Sequence, residues 1–208
     1  MNLSAAEVHK LKRAKPSVDG ILPVILERWS PRAFSDRYVN PSDLKKIFEA
    51  ARWAPSSFNE QPWRYFVGQR ESGTWNKIFS TLLPMNQAWA RSAAVLILGV
   101  AKTRFSHNDS PNNYAIHDLG AADAFITLQA AALGLHTHQM AGFDWVKARE
   151  TFQIPETYGM GSVMALGYQA DPATLPNERY QSQEQMPRSR KPLSEIVLTA
   201  WDHPADLG

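Results

Sequence analysis

The feature that most constrains the fold is the run from Ala93 to Ala101, in which every residue is apolar or glycine. The run has the length of a β-strand and is far too short to span a bilayer. With no polar side chain on either face, it reads as a strand that is buried on both sides. An apolar fraction of 44% agrees with a globular protein that has a real core.

Three further strands are predicted near residues 63–68, 136–140 and 160–168, and helical segments lie between them. The helices are predicted from Asp19, as N-cap, to Trp29; from the Asn40-Pro41 start to Trp53; at Thr74–Leu83; at Tyr114–Leu133; and from Asp144, as N-cap, to Phe152. Some helices come in pairs, so a doubly wound sheet is not compelled. An α+β sandwich with a mixed sheet is equally natural.

The chain shows no internal repeat and no convincing domain boundary. We expect residues 1–18 to form a polar N-terminal arm and residues 19–201 to form one domain. The polar stretch from Asp171 to Met186 has no helical or strand period and is predicted to be a surface loop. The first residues lack the apolar core of a signal peptide, so the expected location is the cytoplasm.

Composition excludes several kinds of chemistry. The sequence has no cysteine, which excludes disulfides, thiol catalysis and cysteine-ligated metals. Any redox chemistry would therefore need a bound organic cofactor. The net charge of +2 gives no argument for nucleic acid. Glycine-rich dinucleotide and nucleotide phosphate motifs are absent from the sequence, so a Rossmann domain or an NTPase is unsupported.

The loop from Ala54 to Trp63 has the composition of a binding site. Pro55 and Pro62 bracket a run of serine, asparagine and glutamine side chains. The prolines restrict the backbone, and the uncharged polar groups can both donate and accept hydrogen bonds. This suits a flat ligand with a polar edge. The alternative is a helix-to-strand connection shaped by Asx and serine turns.

Two basic clusters are candidates for binding phosphate. Arg28, Ser30 and Arg32 alternate, so in an extended segment they point to one side, and arginine matches phosphate with paired donors. Arg188 and Arg190 form the second cluster. The alternative is a solvated basic edge. His136 and His138 could bind a metal, but no third ligand is recognisable, and structural roles are the simpler interpretation.

Three motifs in this order resemble the nitroreductase family of FMN-dependent oxidoreductases. They are Arg28-x-Ser30-x-Arg32-x-Phe34, Ala54-Pro55-Ser56-Ser57-x-Asn59-x-Gln61-Pro62-Trp63 and Arg188-x-Arg190-Lys191-Pro192-Leu193. The resemblance extends from about Leu22 to Val197. It implies an α+β fold with a mixed, largely antiparallel sheet flanked by helices. It also implies a homodimer with FMN at the interface and a C-terminal segment, 188–201, that wraps around the partner.

The resemblance also implies which residues hold FMN. One set would hold the phosphate and ribityl chain, the second would reach the flavin from the partner subunit, and the third would lie at the isoalloxazine ring. The sets are Arg28, Trp29, Ser30, Arg32, Arg188 and Arg190; Pro55, Ser56, Ser57 and Asn59; and Asn86, Gln139, Met140, Ala141 and Gly142. No protein side chain is expected to act as a catalyst, since the cofactor carries the chemistry.

The sequence departs from the family pattern at two positions. Many relatives carry Glu at the position of Ala141 and Lys at the position of Trp89. Trp89 could instead form a wall of the acceptor pocket. Residues 102–113 form a polar loop, and Phe105 within it is our candidate for selecting the acceptor.

By this resemblance, NADH or NADPH would reduce the flavin, and a nitroaromatic, quinone or other flat acceptor would then take the electrons in a ping-pong scheme. The sequence does not choose between the two donors. The alternatives are a same-fold enzyme that fragments flavin or removes halogen, a flavin-binding sensor without turnover, and a protein whose basic clusters contact another phosphate ligand.

Overall fold

The computed structural model describes residues 18–207, so the predicted N-terminal arm lies outside the described residues except for Val18. The helices are α1 Pro23–Glu27, α2 Pro41–Arg52, α3 Gly73–Thr81, α4 Pro84–Ala90, α5 Ala115–Ala132, α6 Trp145–Phe152 and α7 Glu178–Gln185. The strands are β1 Trp63–Gln69, β2 Val95–Lys102, β3 His136–Met140, β4 Tyr158–Gly167, β5 Leu198–Ala200 and β6 His203–Pro204. Short 3-10 turns occur at Ser57–Asn59, Pro172–Thr174 and Leu193–Glu195.

Strands β1 to β4 form one sheet in the order β1-β2-β4-β3, and all three pairings are antiparallel. Trp63 pairs with Ala101 at one end of the β1–β2 ladder, and Gln69 pairs with Val95 at the other. The edges of the sheet are therefore β1 and β3. The predicted α+β class is confirmed, and the predicted strands correspond to the four observed ones.

The apolar run lies in β2, and every residue from Val95 to Ala101 is buried. Helices α3, α4 and α6 cover one face of the sheet, where Trp75, Ile78 and Trp89 contribute to the core. Helices α2 and α5 cover the other face. The prediction of a strand buried on both sides is thus confirmed.

Helix α5 lies close to the sheet because the facing residue of β4, Gly161, has no side chain. A Cβ atom on Gly161 would lie 2.5 Å from Leu119 Cδ2 and 2.9 Å from the carbonyl oxygen of Gly99. A side chain at this position would clash with the Gly99 carbonyl and would displace the Leu119 side chain of α5. The close approach brings the first turn of α5, with Asp118, next to the loop that precedes β1.

The predicted starts of two helices are confirmed by their caps. The Asn40 side chain accepts a hydrogen bond from the Ser42 amide at 2.9 Å, and Pro41 occupies the first helical position. The Asp144 carboxylate accepts from the Lys147 amide at 2.9 Å. Both caps satisfy amides that a helix leaves unpaired at its N-terminus.

The helix predicted from Asp19 to Trp29 is wrong in its bounds. Leu22 is extended, with φ −55° and ψ 127°, and Pro23 occupies the first turn of a helix of only 5 residues. Proline disfavours helical conformation in the residue before it, so the helix cannot include Asp19 to Leu22. Arg28 is extended as well, which leaves Trp29 outside the helix.

The stretch predicted as a surface loop, Asp171 to Met186, contains helix α7. The Asn177 side chain caps this helix by accepting from the Tyr180 amide at 3.0 Å. The one buried residue of α7 is Glu184. A helix that buries a carboxylate and no apolar stripe gives no hydrophobic periodicity, and the sequence pattern therefore missed it.

The C-terminal residues form a turn and a small hairpin of β5 and β6 on the surface of the protomer. Its apolar side chains are exposed: Leu193 at 63%, Ile196 at 59% and Trp201 at 86%. Across residues 18–207, none of the helices has the length and apolar character needed to cross a bilayer.

Candidate functional site

Residues 28–33 form an extended segment that we call the clamp, and side chains from three other elements hold its backbone. The Arg188 guanidinium donates to the carbonyl oxygen of Arg28 at 2.8 Å. His138 Nδ1 lies 3.0 Å from the carbonyl oxygen of Pro31. The Glu184 carboxylate accepts from the Arg32 amide at 2.9 Å. These contacts fix the segment from which the two predicted arginines and Ser30 project.

Positive charge concentrates at the clamp, where Arg28 lies close to Arg188 and Arg190. Burial, followed by repulsion from Arg190 and Arg188, lowers the pKa of Arg28. Burial and Arg190 also lower the pKa of Arg188. The Nε atoms of Arg28 and Arg188 are buried and have no hydrogen-bond partner. Within residues 18–207, none of these arginines forms an ion pair with a carboxylate.

The chemistry of this cluster suits an anion. Like charges are brought together at a cost, and buried donors without acceptors add to it. An anion with several acceptor oxygens removes both costs, and phosphate matches the paired donors of arginine. The structure thus brings Arg28, Arg188 and Arg190 together. These residues come from the two basic clusters that the sequence offered as candidates for binding phosphate.

His138 supports the clamp from β3 as a neutral side chain. Burial and the charge of Arg32 lower its pKa to about 4, in spite of its hydrogen bond to the Pro31 carbonyl. Neutral His138 therefore donates from Nδ1 to Pro31. Its ring packs against Trp89 with 4.6 Å between centroids, and His136 contacts the edge of buried Trp29 at 6.3 Å. This pair has a supporting role in the structure.

The proline-bracketed loop is held by a carboxylate on α5. The Ser57 amide donates to Asp118 at 2.9 Å, and Asp118 is only 3% exposed. The Gln61 amide donates to the Ser56 hydroxyl at 3.0 Å. Asn59, another predicted ligand, has a positive φ of 54°, which asparagine tolerates better than most residues. Hydrogen bonds of its own polar groups therefore hold the loop in shape. Pro55, Ser56 and Ser57 line a cleft of about 290 Å³.

The loop also contacts residues 102–113. The rings of Phe58 and Phe105 meet edge to face at 5.5 Å, and His107 lies 5.4 Å from Phe105. The Glu60 carboxylate accepts from the Ser106 amide at 3.0 Å. Phe58 is 81% exposed, so this aromatic group stands at the surface of the protomer. The candidate acceptor-selecting residue thus lies beside the proline-bracketed loop.

The end of β3 brings together the third set of predicted residues. The side-chain amide of Asn86 donates from Nδ2 to the carbonyl oxygen of Gly142 at 2.9 Å. A Cβ atom at Gly142 would lie 2.7 Å from Asn86 Nδ2, so glycine permits this approach. Met140 is buried, whereas Gln139 is exposed and its side-chain oxygen accepts from Ser162 at 3.1 Å. These contacts orient the Asn86 amide beside the backbone of β3.

Ala141 lies on the rim of a cleft of about 430 Å³ next to the end of β3. Phe143, Trp145, Met160 and Arg149 line the same cleft. Three backbone carbonyls accept from Arg149, those of Ile154, Pro155 and Tyr158. Because the side chain of Ala141 is only a methyl group, it adds neither bulk nor charge to the rim of this cleft.

Trp89 does not line an open pocket, as its predicted role in the wall of the acceptor pocket would require. Its side chain is 2% exposed and packs against Phe34 at 6.4 Å between centroids. It is part of the hydrophobic core beneath the clamp. We therefore correct that interpretation: Trp89 supports His138 and is not a wall of an open pocket.

The clamp and the proline-bracketed loop lie at opposite edges of the sheet. The clamp rests on β3, while the loop leads directly into β1. Three strand spacings of about 4.8 Å separate these edges by roughly 14 Å. In the part of the chain that the structure describes, no hydrogen bond or ring contact joins the clamp to the loop.

Two supporting carboxylates, Asp118 and Glu184, were not among the residues singled out in the sequence. Asp118 interrupts the apolar stripe of α5, four residues after Tyr114, and a buried carboxylate on a helix signals a polar partner. Glu184 stands in a run of polar residues and gives no such signal.

Comparison with known proteins gives a consistent result. Residues 25–168 match the model of the nitroreductase family. A protein of Archaeoglobus fulgidus with the provisional name NADH dehydrogenase/NAD(P)H nitroreductase is 33% identical, over 72% of this chain and 86% of the relative. The NADH dehydrogenase of Thermus thermophilus is 27% identical over 87% of this chain and 99% of its own length.

A solved structure supports the same relationship. The crystal structure of an oxidoreductase described as containing FMN superposes with a TM-score of 0.83. It is 32% identical in sequence, and the match covers 89% of this chain and 94% of that chain.

Proposed function

Because the chain belongs to the nitroreductase family, we propose that it is an FMN-dependent oxidoreductase that uses NADH or NADPH to reduce flat acceptors such as nitroaromatics and quinones. Bound FMN would supply the redox chemistry, accepting electrons from the nicotinamide and giving them to the acceptor in a ping-pong scheme. The protein's own contribution is to bind the cofactor, orient it and shape the place where donor and acceptor alternate.

The observation that carries this proposal is the cluster of Arg28, Arg188 and Arg190, which forms no ion pair with a carboxylate among residues 18–207. Arg28 and Arg188 hold buried Nε donors without acceptors, and repulsion from Arg190 adds to the strain. The FMN phosphate would supply both the negative charge and the acceptor oxygens. Ser30 and Arg32 project from the same extended segment and would bind the phosphate and ribityl chain.

The end of β3 fits the other end of the cofactor. Asn86 Nδ2 donates one proton to Gly142 and can offer its second proton and its oxygen to the edge of a flat ring. The backbone from Gln139 to Gly142 would lie along the same ring. Trp29 is 8% exposed and would act by fixing the clamp backbone from behind.

The acceptor would lie where the cleft beside Ala141 opens. Its apolar wall, with Phe143, Trp145 and Met160, suits an aromatic or quinonoid molecule. With Ala141 in place of a carboxylate, the rim adds no negative charge that would repel a nitro group or a quinone oxygen. This favours electron-poor flat molecules as acceptors.

A homodimer belongs to the same proposal. The C-terminal hairpin exposes Trp201, the turn before it exposes Ile196, and the region of α1 exposes Leu22 and Ile25. Exposed apolar side chains in such numbers indicate a surface that another chain covers. A partner would also bring its proline-bracketed loop, with Pro55, Ser56, Ser57 and Asn59, to the clamp edge. This would join the two halves of the site that one protomer keeps apart.

We place this enzyme in the cytoplasm, where reduced nicotinamides are supplied. A fusion of the full chain to a fluorescent protein would test it, with periplasmic or secreted signal as the contradicting result.

The function is tested by an absorbance spectrum of the purified protein, followed by anaerobic addition of NADPH and then NADH. We expect flavin bands that bleach with at least one donor and return when a nitroaromatic or quinone is added. Flavin bands that persist with both donors would indicate a flavin-binding sensor. Bleaching without re-oxidation by these acceptors would favour flavin fragmentation or dehalogenation. Protein that binds no flavin would overturn the proposal.

A further inference from the structure

Helix α7 lies against the clamp, and its one fully buried side chain is a carboxylate. Glu184 is 1% exposed. Its Oε1 atom accepts from the amides of Arg32 at 2.9 Å and Ala33 at 3.0 Å, and its Oε2 atom lies 3.0 Å from the Arg32 amide. Glu184 follows these residues by about 150 positions in the chain, so this is a tertiary contact.

A second side chain of α7 extends the contact toward the other end of the site. The Tyr180 ring lies 5.9 Å from the Arg32 guanidinium. Its hydroxyl donates to the carbonyl oxygen of Met85 at 2.8 Å. Met85 immediately precedes Asn86, whose amide contacts Gly142. One short helix therefore touches both the clamp and the residue next to the proposed ring contact.

The backbone around Arg32 depends on side chains for its hydrogen bonds. Residues 28–32 form no strand ladder, and pairing with another segment begins only at Ala33, whose carbonyl accepts from Ala170. Without Glu184, the amides of Arg32 and Ala33 would be left without acceptors in a buried place. Such amides cost free energy, and an extended segment relieves that cost by moving.

We propose that Glu184 is a positioning residue for the phosphate end of the cofactor. It acts through the backbone of Arg32 and Ala33 and holds the clamp in the shape that receives the phosphate. The inference rests on the proposed function and adds to it a dependence on α7, which lies beyond the region matched by the family model, residues 25–168.

The sign of the expected effect separates positioning from simple electrostatics. Glu184 carries a negative charge close to a cationic site, and phosphate is an anion. If only the charge acted, Glu184→Gln would bind FMN more tightly. If Glu184 positions the clamp, the same substitution weakens FMN binding, because the side-chain NH2 of glutamine would stand at the Oε2 position, 3.0 Å from the Arg32 amide, and two donors would face each other.

The test compares FMN with riboflavin, which lacks the phosphate, on the full-length protein freed of flavin. We expect Glu184→Gln to raise the Kd for FMN at least about tenfold and to leave the Kd for riboflavin within about twofold. Glu178→Gln, an exposed residue in the first turn of the same helix, is the matched control. Glu184→Asp keeps the charge with a shorter reach and should fall between the parent and Glu184→Gln.

Each other outcome contradicts the inference. An unchanged or lowered Kd for FMN in Glu184→Gln would leave only an electrostatic role or none. An equal loss of FMN and riboflavin would indicate general damage to the fold, which the melting temperature of Glu184→Asp would report independently. If the parent protein binds neither flavin, the proposed function fails first, and that failure is visible before any variant is made.

Discussion

At the scale of single residues, the molecule brings like charges close together and buries polar atoms that have no hydrogen-bond partner. Three arginines in and beside the clamp repel one another, while buried Asp118 and Glu184 each accept hydrogen bonds from backbone amides. Natural proteins place such costs where a ligand or a partner offsets them. An anion bound at the clamp would offset the repulsion between these arginines.

Removing two of these cations tests the clamp directly. We expect Arg28→Ala combined with Arg190→Ala to purify largely without flavin, since each charge-assisted phosphate contact contributes about 1.5–3 kcal/mol. The ratio of flavin to protein absorbance measures the result. Arg91→Ala, an exposed arginine at the end of α4, serves as the control and should retain the parent's flavin. A double variant as yellow as the parent would show that the phosphate binds elsewhere.

Asp123 offers a residue-scale prediction about stability. Its carboxylate is 4% exposed and accepts from the Tyr65 hydroxyl at 3.0 Å. Burial raises its pKa from 3.8 to about 6, against the lowering effect of that hydrogen bond. The folded protein thus binds more protons than the unfolded chain between these values. This carboxyl therefore favours folding at pH below 3.8, and the contribution is lost as the pH rises to about 6.

Asp123→Asn should remove this dependence. Relative to the parent, the variant should gain about 2–3 kcal/mol in the free energy of unfolding between pH 4 and pH 7. Urea unfolding at the two values measures this difference, so any constant cost of the amide cancels. Asp36→Asn, an exposed aspartate, is the control. An equal change for both variants would mean that Asp123 keeps an ordinary pKa.

At the scale of elements, the sequence predicted the sheet well because its strands bury apolar side chains. The run of β2 and the capped starts of α2 and α6 depend on local chemistry, and local chemistry is visible in a sequence. The two errors have physical reasons of their own. Pro23 shortens α1, and α7 packs through Glu184 and Tyr180, which a search for apolar stripes does not detect.

The candidate site was predictable in part for the same reason. The three motifs stand out by composition, and the contacts between Arg188 and Arg28 or between Asn86 and Gly142 agree with their proposed grouping. The supporting residues were not predictable. Their partners are backbone groups about 60 to 150 residues away, and no spacing in the sequence encodes such contacts.

The loop of residues 102–113 carries an element-scale prediction. Phe105 packs against Phe58, and neither residue belongs to the clamp. We expect Phe105→Leu to change the ranking of kcat/KM among nitroaromatic and quinone acceptors while the flavin content stays at the parent's level. Tyr38→Leu, an exposed aromatic residue outside both loops, is the control. An unchanged ranking would remove this loop from acceptor selection.

At the scale of the whole molecule, the proposed dimer follows from surfaces that a lone protomer leaves exposed. Replacing Ile196 and Trp201 together by Asp would place one charge on the C-terminal hairpin and one just before it. Burying those charges would cost more free energy than the remaining apolar contacts contribute to the interface, so we expect a monomer in sedimentation equilibrium. The monomer should also lose flavin, because the partner's loop would no longer reach the clamp.

The control for this prediction is a pair of charges at exposed positions away from the hairpin. Asn76→Asp with Lys77→Asp on α3 meets that requirement, since both residues are exposed. This variant should sediment and retain flavin as the parent does. A hairpin variant that remains a dimer with full flavin would place the interface on another surface.

The separation of clamp and loop onto opposite edges of the sheet has a consequence for inherited defects. In the proposed dimer, one site takes its clamp from one chain and its loop from the other. A chain damaged only in the clamp and a chain damaged only in the loop would each be inactive alone. When both are produced in one cell, mixed dimers would unite the intact clamp with the intact loop at one of their two sites. Two broken copies of the gene could thus restore activity to each other.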